Sequence, residues 1–186
     1  VKQAQGEYLL FLNNDTEIIQ EDTLTWMVGY ASQQHVGCVG AKLLYPDKKV
    51  QHAGVVLGFG GVAGHIYVAN SYNDNGLFGR LAMPYNYTAV TAACLMLKKS
   101  KFEEAGGFDE NLKVALNDVD LNLSVMSKGY NNVCLSNVEV LHYESKSRGY
   151  EVSSEKQERF KFEQQHMMDK WGKKLDRDKY FSKYSF

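Results

Sequence analysis

Three short polar clusters carry the residue types most able to do chemistry in this 186-residue chain. They are Asn13-Asn14-Asp15, Asn117-Asp118-Val119-Asp120, and residues 142–149 (HYESKSRG). Each directly follows an apolar run or opens a helical pattern, and polar residues at strand ends are where open α/β sheets bind ligands. Asp15 and His142 are ligand types that suit Mg²⁺ or Mn²⁺ when a diphosphate supplies further oxygens. Asp118 opens a predicted helix, where the dipole keeps a carboxylate ionised, and an ionised carboxylate in a cleft can take a proton from an alcohol. Arg148, with Ser145 and Ser147, offers charge-assisted and neutral donors to phosphate oxygens.

Taken singly, each cluster has an ordinary structural reading. Asn-Asn-Asp terminates strands and forms turns. Asn117 followed by Asp120 reads as a helix N-cap with its third-position partner, which makes Asp120 a stabiliser of the helix start. A lone histidine at a strand end is commonly a hydrogen-bonded structural residue. The chemical reading rests on the three clusters meeting at one edge of one sheet.

The surrounding pattern predicts elements that would bring them there. Residues 8–12 (YLLFL) form an apolar run, as in a strand covered on both faces. A helix capped by Asp22 follows, with Leu24, Met27, Val28 and Ala31 on one face, and residues 35–43 (HVGCVGAKL) return as a strand. Strand, helix, strand is the signature of an α/β fold. Residues 45–49 are a turn, and 50–57 are extended. Residues 58–64 (GFGGVAG) match no phosphate-binding glycine pattern, and 70–88 form a long loop. Residues 89–97 (AVTAACLML) predict a further strand. A short helix capped by Ser100 then ends at Gly106-Gly107. A second helix spans 118–128, with Leu116, Val119, Leu123 and Met126 on one face, and stops at Gly129. Residues 133–135 and 138–141 are extended, and 155–171 form a charged amphipathic helix.

Composition narrows the function classes. The 44% hydrophobic and 23% charged content is that of an ordinary globular domain, here a single unit over 1–186. A formal net charge of -1 gives no basic face for a nucleic-acid partner. No apolar run approaches the ~20 residues of a spanning helix. Cys38, Cys94 and Cys134 are odd in number and lack CxxC spacing. They read as buried small hydrophobes in a reducing, cytoplasmic compartment, not as a disulfide framework or zinc site.

The series GEYLLFLNNDTEI, KLLYPDKKVQHAGVVLG, NYTAVTAACLMLKKSKFEEAGGFDENLKVALNDVDLNL and HYESKSRG resembles the bacterial family 2 glycosyltransferases, in particular their rhamnosyltransferase-like branch. The resemblance runs in order over nearly the whole chain, and GGFDE followed by NDVDL is its most specific part. It implies a GT-A fold, Rossmann-like, with a mixed sheet flanked by helices. The implied reaction is inverting, metal-dependent transfer of a sugar from a nucleotide-diphosphate sugar to a glycan or lipid-linked acceptor hydroxyl, in cell-surface polysaccharide synthesis. Such an enzyme would lie in the cytoplasm or at the inner face of the membrane.

Position by position, the resemblance makes Asp15 the last acid of the DxD motif and a metal ligand. Asn13 stands where that motif has its first acid, on the donor side. Asp118 becomes the base and His142 a further ligand of Mg²⁺ or Mn²⁺. Ser145, Ser147 and Arg148 hold the donor diphosphate. Thr91, Gly107, Phe108, Asp109 and Asp120 fall on the acceptor side. The family's opening strand, helix and strand, which hold the nucleoside, have no counterpart here. The expectation is therefore an N-terminally truncated domain, inactive alone and prone to self-association through the strand at 8–12. Two other functions compete. A nucleotidyltransferase predicts a lysine-bearing glycine-rich NTP loop, which is absent from this sequence. A non-catalytic glycan- or partner-binding remnant predicts loss of the base, yet Asp118 is present.

Overall fold

A computed structural model of the chain describes residues 1–143 and 154–182. In chain order the elements begin β1 (Tyr8–Leu12), β2 (Thr16–Ile18), α1 (Thr23–Ala31), β3 (Val36–Leu44), β4 (Val50–His52), β5 (Val55–Leu57) and β6 (Ala63–His65). They continue with β7 (Tyr85–Tyr87), β8 (Cys94–Lys98), α2 (Lys99–Glu104), α3 (Asn117–Ser127), β9 (Asn131–His142) and α4 (Ser154–Trp171). The main sheet runs β1-β8-β3-β9-β2, with β4 added to β3 and β7 to β9, while β5 and β6 form a separate hairpin. β3 and β9 are parallel; β1–β8, β3–β8 and β2–β9 are antiparallel. A mixed sheet with helices on both faces is the expected α/β architecture.

Period-2 alternation sorts side chains between the two faces. On β8, Cys94 and Met96 join α1 residues Met27 and Ala31, whereas Leu95 and Leu97 join Phe102 of α2 and Leu121 and Val125 of α3. β9 keeps this alternation only because it carries a bulge. Ala41 pairs with Leu135, but the next residue, Lys42, pairs with Glu139. The extra residues reset the phase, so Val138 and Val140 return to the α1 side with Val133 and Leu135. Buried Lys42 closes the bulge with a 2.8 Å ion pair to Glu139 and by donating to the Leu81 carbonyl.

Gly40 lies where a Cβ would meet the Val90 side chain at 2.6 Å. This close approach lets the segment before β8 cross over β3.

Several expectations are corrected. β1 packs on both faces as expected, Leu9 and Phe11 against one core and Tyr8 and Leu10 against the other, but it pairs only with β8 among the described strands and leaves Leu12 42% exposed. The helix α1 buries Thr23, Met27 and Ala31, an i, i+4, i+8 stripe, and leaves Leu24 and Val28 exposed. Asp22 precedes it without capping: its carboxylate accepts instead from the Trp26 indole N–H at 2.7 Å. β8 begins at Cys94, because the residues before it leave that ladder: Ala89 bridges Val55 of β5, and Val90 and Ala92 are held to α3. Ser100 lies inside α2, whose cap position is Lys98. Asn117 likewise lies inside α3, after Leu116 at φ 60°, so the expected cap pair with Asp120 does not form. The two extended segments at 133–135 and 138–141 are one strand, β9. The residues 70–88 contain a 3-10 turn at Leu77–Gly79 and β7. The three cysteines are free and buried, and burial pushes all their thiol pKa values up.

Candidate active site

The tight turn after β1 reverses the chain into β2. The Asn13 carbonyl accepts from Thr16 N–H at 3.3 Å and from the Thr16 hydroxyl at 2.6 Å. β2 then pairs with the end of β9 so that Thr16 lies opposite His142, and Tyr143 N–H donates to the Asp15 carbonyl at 2.8 Å. This register brings together two residues 127 positions apart: His142 Nε2 is 3.1 Å from Asp15 Oδ1. Asn13 Nδ2 sits 3.3 Å from the same nitrogen. His142 is 6% exposed, and its Nδ1 faces Gln51 Oε1 of β4 at 2.6 Å.

The pair fits a divalent cation by its spacing. Two adjacent ligands of an octahedral ion at about 2.1 Å stand about 3.0 Å apart. Among the described residues no third His, Cys, Asp or Glu completes a metal cluster. The remaining coordination positions therefore suit substrate oxygens and water, as is usual for Mg²⁺.

Asp118 occupies the first turn of α3. Its Oδ1 accepts from Val119 N–H at 2.8 Å and its Oδ2 from Ala92 N–H at 3.2 Å. Residues 91–93 connect this carboxylate to the Asp15 turn. Asn13 N–H donates to the Ala93 carbonyl at 3.0 Å, and Thr91 N–H donates to His52 Nε2 at 3.4 Å. Asn122, fully buried on α3, holds the same segment by bonding both the N–H and the C=O of Val90. Asn132 supports it from β9 by donating to the carbonyls of Thr88 and Asn122.

Gly106 and Gly107, at φ 87° and 75°, end α2 and turn the chain so that the Phe108 ring packs edge-on against Phe11 of β1 at 4.9 Å. The acids that follow engage the C-terminal helix. Asp109 pairs with His166 at 3.0 Å and Lys170 at 2.9 Å, and these bonds, His166 first, hold its pKa well below the usual carboxylate range. Asp120, 1% exposed, accepts from the Trp171 indole at 2.8 Å and from Lys170 at 2.9 Å. Ser145, Ser147 and Arg148 lie outside the described residues.

Asp15, His142 and Asn13 are thus in direct contact, and Asp118 and Thr91 are tied to them through one short backbone segment. Phe108 stands against β1 and Gly107 lies against Phe102 of α2, while Asp109 and Asp120 bind α4. Sequence reasoning missed Gln51, His52 and His65. His52 is fully buried and its ring meets His65 at 4.7 Å between centroids. Burial, then the neighbouring His65 and His142, holds its pKa well below the usual histidine value. The available signal was Gln51-His52 followed two residues later by Gly54, whose φ of 118° ends the strand.

No protein-family model matches the chain. It is 48% identical over 172 residues to the uncharacterized protein y4gI of Sinorhizobium fredii, covering 92% of this chain and 19% of that protein. It is 43% identical over 148 residues to the O-antigen biosynthesis protein RfbC of Myxococcus xanthus, covering 79% of this chain and 12% of RfbC. A shorter match, 34% over 65 residues, is to an N-acetylglucosaminyl-diphospho-decaprenol L-rhamnosyltransferase of Mycobacterium tuberculosis; it covers 35% of this chain and 21% of that enzyme. The chain thus spans only about a fifth or less of these relatives. Among solved structures, the mannosyltransferase PcManGT from Pyrobaculum calidifontis, in complex with GDP-Man and Mn²⁺, superposes with a TM-score of 0.52 at 17% identity. That superposition covers 80% of this chain and 35% of the mannosyltransferase, and shows a shared fold. The architecture is therefore a GT-A-type fold, and the sequence is similar to parts of an O-antigen biosynthesis protein and of a rhamnosyltransferase.

Proposed function

We propose that this chain carries the metal and acceptor side of a family 2, inverting glycosyltransferase that serves cell-surface polysaccharide synthesis. The observation that supports this reading best is the 3.1 Å apposition of Asp15 and His142 at a sheet edge tied through residues 91–93 to Asp118. The names of the relatives, O-antigen biosynthesis protein and rhamnosyltransferase, favour glycosyl over nucleotidyl transfer.

Asp15 and His142 would hold Mg²⁺ or Mn²⁺, which when bound neutralises charge on the departing nucleoside diphosphate. Asp118, in the first turn of α3, takes the proton of the acceptor hydroxyl. The acceptor oxygen attacks the anomeric carbon from the face opposite the diphosphate. A C–O bond forms there as the anomeric C–O bond to phosphate breaks, and the configuration inverts. Asn13 serves the donor side, and Thr91 with the Gly107-Phe108 turn serves the acceptor side. Ser145, Ser147 and Arg148 are assigned to the diphosphate by the family resemblance. The acceptor is a glycan or lipid-linked saccharide, which places the full-length protein in the cytoplasm or at the inner membrane face.

The experiment is transfer from a panel of nucleotide-sugars by the full-length protein with Mn²⁺, alongside Asp15→Ala, His142→Ala and Asp118→Asn. Mn²⁺ titration is followed in parallel by electron paramagnetic resonance. The first two substitutions should weaken Mn²⁺ binding. The third should leave it intact and lower turnover by ~10²–10⁴-fold, as for loss of a general base. Transfer with retained configuration, or Mn²⁺ binding indifferent to both ligand substitutions, would overturn the reading.

A further inference from the structure

The central residue of β4, Gln51, is 4% exposed, and its side-chain oxygen lies 2.6 Å from His142 Nδ1. An amide oxygen can only accept, so Nδ1 carries a proton. The other ring nitrogen, Nε2, lies 3.3 Å from Asn13 Nδ2, which can only donate. In a neutral ring whose proton is on Nδ1, Nε2 presents its lone pair and can accept from that amide. That lone pair faces Asp15 Oδ1 at 3.1 Å, a second acceptor. A free histidine side chain favours the opposite tautomer, so the arrangement needs a group that opposes the intrinsic preference of the ring. Gln51 is that group.

We propose that Gln51 is a positioning residue that holds His142 in the Nδ1–H tautomer, with Nε2 aimed at a divalent cation shared with Asp15. This rests on the metal-site reading of Asp15 and His142. The partner on the far ring nitrogen of a metal-ligating histidine sets both its tautomer and its orientation. Strand alternation extends the same logic. The next residue, His52, takes the Thr91 N–H on its Nε2, adjoining the segment that binds Asp118. Two consecutive β4 residues thus brace the metal side and the base side of one site.

The test uses ring-¹⁵N-histidine labelling of the chain and long-range ¹H–¹⁵N correlation without metal, the His142 signals being assigned with His142→Gln. Mn²⁺ affinity is measured in parallel. The expected result is an Nδ1–H ring in the parent chain. Gln51→Leu should move the proton to Nε2 and lower Mn²⁺ affinity by about 10–100-fold, the range for loss of such a partner. Gln51→Glu, which keeps an acceptor at that point, should retain the Nδ1–H ring and recover most of the affinity. A folded Gln51→Leu chain with an unchanged tautomer and parental affinity would overturn the positioning role alone. Mn²⁺ binding that Asp15→Ala and His142→Ala leave untouched would instead overturn the metal reading beneath it.

Discussion

Asp118 and Asp120 sit two residues apart on α3 and bind different partners. Asp120 is 1% exposed and joins the start of α3 to the end of α4 through Trp171 and Lys170. Asp120→Ala removes a charge-assisted bond from the indole N–H, worth about 1.5–3 kcal/mol, and leaves that part-buried donor without its acceptor. The Lys170 share is smaller. This side chain is 36% exposed and keeps Asp109 at 2.9 Å, so the lost contact is close to a surface pair, about 0–1 kcal/mol. The sum is about 3 kcal/mol, which for a chain of this size lowers Tm by about 6–12 °C. Asp118→Asn is nearly isosteric and keeps an amide oxygen for the N–H of Val119 or Ala92. Its Tm should stay within about 2 °C of the parent, while turnover of the full-length enzyme falls ~10²–10⁴-fold. Differential scanning calorimetry and initial-rate assays on both variants separate the two. The reasoning fails if Asp120→Ala melts like the parent. It fails equally if both variants lose turnover to the same degree at unchanged Tm.

Three further outcomes follow from the packing. His52 stays neutral in the folded chain, whereas an unfolded histidine takes up a proton as pH falls through about 6.5; stability should therefore decline below that pH by about 1.4 kcal/mol per unit. Urea midpoints at descending pH, compared with His52→Leu, check this, and equal slopes in the two chains would refute it. Asn122→Ala strips partners from both backbone groups of buried Val90 and should destabilise by about 3 kcal/mol, read as a lower urea midpoint. β1 is a sheet-edge strand with Leu12 exposed, so the chain should self-associate with concentration in light scattering; a monomer at all concentrations would refute that.

Much of this protein was legible in one dimension. The apolar runs of β1, β3 and β8, the helix α3 and the long α4 announce themselves by period, and Gly129 ends α3 at φ 95°. The polar residues after those runs marked the candidate site, because a strand that ends at a sheet edge must place its next residues there. The sequence was silent on long-range register. The three-residue strand β2 has no pattern of its own; it exists because β9 offers it partners, and that pairing sets Asp15 beside His142. The bulge in β9 is equally invisible, since residues 133–141 read as two extended pieces with no mark of the phase change between them. Helix capping went the same way. Asn117 and Asp120 have the local form of a cap pair, yet Asp120 binds Trp171 and Lys170, partners that only folding brings near. Gln51 and His52 show the limit most clearly: on an extended segment they are two ordinary polar residues. They become braces of the site only when β4 pairs with β3 and burial obliges each to find a hydrogen-bond partner there.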